Sequence, residues 1–96
     1  MKHHILVKFK PELTAADKKA LLPELTALFE GALSLPGIGS AELFPNCVDR
    51  ENRYDLMIVI GMDREALPAW DASEPHLIWK ERYGGLVEKK AIFDCE

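Results

Sequence analysis

Residues Tyr54 to Met62 restrict the fold of this chain more than any other segment. Leu56, Ile58 and Ile60 alternate with Met57 and Val59, so a strand here is apolar on both faces. Such a strand needs cover on both sides. A chain of 96 residues makes one domain around one core. Its helices are expected to cover one face, and something outside the chain the other.

The other segments supply the rest of a small sheet. His3 to Lys10 reads as a strand, with His3, Ile5, Val7 and Phe9 on one face and His4, Leu6, Lys8 and Lys10 on the other. Pro11 stops it. Thr14 to Asp17 is a capping-box-like helix start, and apolar spacing carries the helix through Leu21, Leu25, Leu28 and Phe29 to Ala32. Pro23 lies inside that run and is expected to kink it. Gly31 and Pro36-Gly37 end the segment. Ile38 to Cys47 is weaker strand material, with Pro45 marking an edge or bulge. Asp49 to Arg53 is a charged connector in front of the strong strand. Asp63 is placed to cap a short helix to about Trp70, and a second short helix follows Pro75 up to Tyr83. Leu86 to Cys95 reads as the last strand.

The order β-α-β-β-α-β over residues 1–96 is the ferredoxin-like α+β arrangement, a four-stranded antiparallel sheet with helices on one face. The uncovered face is best met by a second sheet, which makes a homodimer the expected assembly. In this strand order the second and fourth strands are opposite edges. Cys47 and Cys95 then lie roughly 14 Å or more apart, too far for an intrachain disulfide.

Charge and composition narrow the partners. The net charge of −4 leaves no basic excess for a phosphate backbone, so no nucleic acid is expected. No apolar run approaches the roughly 20 residues that span a bilayer, so no membrane partner is expected. The run Ile5-Leu6-Val7, interrupted by Lys8, is too short for a signal-peptide core, and a cytoplasmic location is expected. The two cysteines cannot hold an iron–sulfur cluster, which takes four, and the histidines and scattered carboxylates carry no zinc signature. No cofactor is expected.

Five local patterns coincide in order and at the expected spacing. They are Lys2-His3-His4-Ile5-Leu6-Val7-Lys8-Phe9-Lys10, Leu35-Pro36-Gly37-Ile38, Glu51-Asn52-Arg53-Tyr54-Asp55, Pro75-His76-Leu77 and Ile92-Phe93-Asp94. Together they resemble the stress-responsive dimeric A/B-barrel family. The resemblance implies a homodimer whose two sheets face each other as a barrel, with a cavity for a small apolar or aromatic ligand. Most members have no assigned activity. Others are plant polyketide cyclases, which close a ring by aldol-type chemistry without metal or cofactor. Their paired histidines carry over onto His3 and His76 as catalytic acid and base, and a pocket tyrosine onto Trp70 as a ligand-binding residue; Val7 and Phe9, on the strand face of His3, are expected on the same ligand-binding wall. This chain departs from the pattern at Ser73-Glu74-Pro75-His76, which lacks the first histidine of the family segment, and at Trp70, which stands where the cyclases have a tyrosine. Imidazole titrates near neutrality, which suits it to proton transfer. His4, of opposite parity, is expected on the other face. Two further readings remain: a cofactor-independent oxygenase of the antibiotic-biosynthesis type, and a non-catalytic interaction module.

Overall fold

The computed structural model describes residues 1–96. The chain forms β1 (Lys2–Phe9), α1 (Ala15–Glu30), β2 (Ile38–Pro45), β3 (Leu56–Met62), α2 (Leu67–Asp71), α3 (Glu74–Ile78) and β4 (Val87–Cys95). The strands are antiparallel in the order β2-β3-β1-β4, so β2 and β4 are the edges.

On β1 the buried residues are His3, Ile5, Val7 and Phe9, the parity set by alternation. Thr14 then caps α1: its hydroxyl oxygen accepts the Asp17 N–H at 3.1 Å, and the Asp17 carboxylate accepts the Thr14 N–H at 2.9 Å. This satisfies two donors that a helix start leaves unpaired. The helix continues through Pro23, which is exposed and offers no N–H to the Lys19 carbonyl. Leu25 and Phe29 are the residues that α1 buries against the sheet. A 3-10 turn over Gly31–Ser34 ends the helix, and Gly37 reverses the chain at φ 83°. A side chain there is strained, and its Cβ would lie 3.1 Å from that of Ala66.

The second helical region departs from expectation in its first turn. Asp63 makes no side-chain cap; its backbone N–H donates to the Gly37 carbonyl at 2.8 Å, and a 3-10 turn over Arg64–Ala66 leads into α2. Ser73 breaks the helix from α3. Its hydroxyl donates to the Trp70 carbonyl at 2.7 Å and accepts the His76 N–H at 3.3 Å. Pro75 falls in the first turn of α3, where its missing N–H matters least. The chain then widens into a π turn over Trp79–Tyr83 before the 3-10 turn that enters β4.

The core lies between the helices and one sheet face. Leu56, Ile58, Ile60 and Met62 of β3 are buried there, under Phe29, Trp70 and Trp79. The Phe29 ring lies 5.8 Å from that of Trp70 and 5.4 Å from that of Trp79, distances typical of favourable aromatic pairs.

No element of the chain covers the opposite sheet face. Register aligns Glu42, Val59, His4 and Phe93 in one cross-strand row and Phe44, Met57, Leu6 and Ala91 in the next. Phe93 is 62% exposed and Phe44 45%. The whole chain exposes 6030 Å², against about 5,500 Å² for a folded monomer of its mass. Cys47 follows β2 and Cys95 ends β4, and both are free thiols. No helix is long and apolar enough to cross a membrane.

The cap generates a prediction with a pH signature. Hydrogen bonds to Thr14 hold the Asp17 carboxyl below its ordinary 3.8. Its contribution to stability is therefore present above pH 3.8 and lost as acid protonates it through the folded value. In urea unfolding at neutral pH, Thr14→Ala should destabilise the chain by about 1 kcal/mol. The difference between the parent and Asp17→Ala should shrink on acidification below pH 3.8.

Candidate functional site

β1 parity points His3 toward the helices, and pairing with β4 sets it directly opposite Asp94. The His3 Nδ1 is 2.5 Å from an Asp94 carboxylate oxygen, and His3 is 5% exposed. An ionised carboxylate only accepts hydrogen bonds, so in neutral His3 the Nδ1 carries the proton and Nε2 keeps its lone pair.

His76 reaches the same place from α3. The Ser73 cap fixes the first turn, so His76 leaves the helix beside Trp70, with ring centroids 5.1 Å apart. Its Nδ1 lies 2.8 Å from the Asp71 carbonyl oxygen. A carbonyl also only accepts, so neutral His76 has the same tautomer.

The two histidines line one cavity of about 260 Å³ between the β1–β4 edge and the α2–α3 helices. Asp71, Asp94 and Lys90 share its wall, and Trp79 belongs to its apolar side. Lys90 makes none of the chain's ion pairs. The wall thus combines apolar surface from Ile5, Leu67, Trp79 and Ile92 with charged side chains. No group of three or more His, Cys, Asp or Glu side chains is arranged to hold a metal ion.

The remaining candidates lie elsewhere. Trp70 and Val7, expected on the ligand wall, have no exposed surface and are closed core residues. Trp70 meets the site only through the His76 ring. Phe9 lines a different, larger cavity at the other end of β1. His4 faces the open side of the sheet, its Nδ1 3.0 Å from the Phe93 carbonyl oxygen.

Sequence reasoning missed Asp94 and Lys90 as wall residues. The signal was available in strand parity: the last strand runs antiparallel beside the first, so a carboxylate near its end falls next to His3. Alternation then puts Lys90, two register steps before Ile92 and four before Asp94, on the same face.

No protein-family sequence model matches the chain. No curated protein sequence matches it either. Solved structures do. A dimeric protein of unknown function with a ferredoxin-like fold from Bacteroides fragilis superposes with a TM-score of 0.81 at 14% identity, over 99% of this chain and 93% of that one. A dabb family protein with a ferredoxin-like fold from Mesorhizobium loti superposes at 0.74 and 15% identity, over 99% and 93%. An antibiotic biosynthesis monooxygenase superposes at 0.68 and 20% identity, over 99% and 97%. Whole-chain superposition at such low identity reflects shared packing and strand order more than shared residues. The chain therefore has the ferredoxin-like α+β fold, in the form also found in a dabb family protein and in dimeric proteins of the same shape.

Proposed function

We propose that the chain is a stress-responsive A/B-barrel protein that works as a homodimer and runs cofactor-independent acid–base chemistry on a small carbonyl compound. The observation that carries this reading is that His3 and His76 line one cavity, each with its Nδ1 held by an acceptor. Both Nε2 atoms are then the positions left to exchange a proton with substrate. The Asp94 carboxylate at Nδ1 favours the form of His3 that also carries a proton on Nε2, so His3 is assigned the acid and His76 the base.

In a cyclase-type step, His76 takes a proton from a carbon between two carbonyls. The resulting enolate carbon attacks a second carbonyl, and a C–C bond forms as the C=O π pair moves onto oxygen. That alkoxide takes a proton from His3. The carbon proton stays on His76 and the hydroxyl proton comes from His3, and the two imidazoles exchange protons with solvent between turnovers. Lys90, on the cavity wall, supplies a positive charge on the side where the oxyanion develops. At about 260 Å³ the cavity suits a small substrate better than a flat polycyclic one, which favours this reading over an oxygenase.

The test uses deuterium uptake from solvent at the acidic carbon of a panel of small β-dicarbonyl compounds, measured above the buffer rate. His76→Ala should lower the exchange rate, and His3→Ala the rate of C–C bond formation from the same compounds with a second carbonyl partner, each by about 10²–10⁴-fold while the fold is kept. His4→Ala should leave both unchanged. Full activity in both cavity variants would remove the acid–base reading.

The dimer is tested separately. Its proposed contact is the open sheet face, through Leu6, Met57, Val59 and Phe93, burying about 1,200–2,000 Å² or more. Sedimentation at micromolar concentration should show a dimer, and Val59→Lys with Phe93→Glu should give a folded monomer. A parent chain that sediments as a monomer would overturn it.

A further inference from the structure

A second cavity is larger than the one that holds the histidines. It measures about 550 Å³ and lies between α1 and the segment joining β2 to β3, at the opposite end of the sheet. This volume falls within the range of small-molecule sites, about 300–1,000 Å³.

Its floor is apolar. Phe9, Leu25 and Leu56 contribute from the core edge and Leu22 from α1. Its outer wall is built, although it is a connecting segment. Asn46 donates through its side chain to the Tyr54 carbonyl at 2.7 Å and accepts the Val48 N–H at 2.7 Å. The Asn46 N–H bonds to the Asp55 carbonyl at 2.9 Å. Lys8, reaching from the other face of β1, donates to the Glu51 and Arg53 carbonyls at 2.9 and 3.1 Å.

Charge at the mouth runs against the charge of the whole chain. Lys18, Lys19, Arg50 and Arg53 line this cavity, with only Asp49 and Asp55 as carboxylates. Asp55 is already committed: one oxygen accepts from Lys18 at 3.0 Å and the other from the Phe9 N–H at 2.8 Å. Lys19 and Arg50 form no ion pair, and Arg53 donates only to the neighbouring Asn52 side chain. A local excess of two positive charges thus surrounds an apolar floor in a chain of net charge −4.

We propose that this second cavity binds an aliphatic monocarboxylate, its hydrocarbon chain on Phe9, Leu22, Leu25 and Leu56 and its carboxylate between Lys19 and Arg50. The guanidinium fork of Arg50 matches a carboxylate in geometry as well as charge. A cationic amphiphile of the same length meets the same floor and a repulsive rim. Both cations are exposed to solvent, so the interaction weakens as salt rises.

Decanoate is the probe, titrated calorimetrically below its micellar concentration at neutral pH and low salt. The proposal expects saturable binding of one decanoate per chain, falling with added salt, and at least tenfold weaker binding of decyltrimethylammonium. Lys19→Glu with Arg50→Glu should weaken decanoate at least tenfold. Leu22→Trp, which fills the floor without touching the charge, should abolish binding. Cys47 lines the cavity and is exposed, so bound decanoate should slow its alkylation by iodoacetamide. Backbone amide shifts should centre on Lys18–Leu22 and Val48–Tyr54. Equal binding of the two amphiphiles, an unaffected charge-reversed variant, or shifts centred on His76 or the open sheet face would each overturn it.

Discussion

A β-sheet has two faces, and this chain folds its helices onto one of them. Everything else in the molecule follows from that asymmetry. The covered face collects the buried residues of β1 and β3 under Phe29, Trp70 and Trp79. The uncovered face keeps Leu6, Met57 and Val59 half-exposed and Phe93 largely so. Apolar rows at the centre of a sheet are costly to leave in water, because the transfer free energy scales with exposed apolar area. A chain of this size has no further helix to place there.

The same sheet sets the geometry of the candidate site. β1 is an interior strand flanked by β3 and β4, so its side chains are held by pairing on both edges. His3 inherits that rigidity, and the β4 register delivers Asp94 to its Nδ1. The second histidine is positioned by a different device. Ser73 interrupts the helical region, takes the Trp70 carbonyl and the His76 N–H, and so rotates the next helix until His76 lies against Trp70. A strand pairing and a helix cap, remote in sequence, meet at one small cavity.

The two ends of the sheet differ in character. At the β1 start, histidines and carboxylates surround a narrow cavity. At its end, an apolar floor opens between α1 and a hydrogen-bonded connector with a cationic rim. Asp55 ties that end together by bridging the Phe9 backbone and the Lys18 ammonium. Separate cavities at opposite ends of one sheet allow separate roles.

Local pattern in the sequence determined the elements. The alternation in β3 and β1, the Thr14–Asp17 cap and the Pro36-Gly37 turn are short-range signals, each fixed by a few neighbouring residues. The sheet order followed from them through the few connections open to a chain of this length. The same parity argument sent His3 and His4 to opposite faces. Tertiary structure decided what depends on distance in three dimensions. Asp63 makes no side-chain cap, and its backbone N–H is fixed by the Gly37 carbonyl, a partner from across the fold. Trp70 closed into the core because the Phe29 ring packs beside it, which no local pattern encodes. Asp94 became the partner of His3, from which it is separated by most of the chain, and Lys90 came to the same cavity wall, because β4 lies beside β1. A side chain's face is a matter of period and is written in the sequence; its partner is a matter of packing and register, and only the assembled sheet and helices supply it.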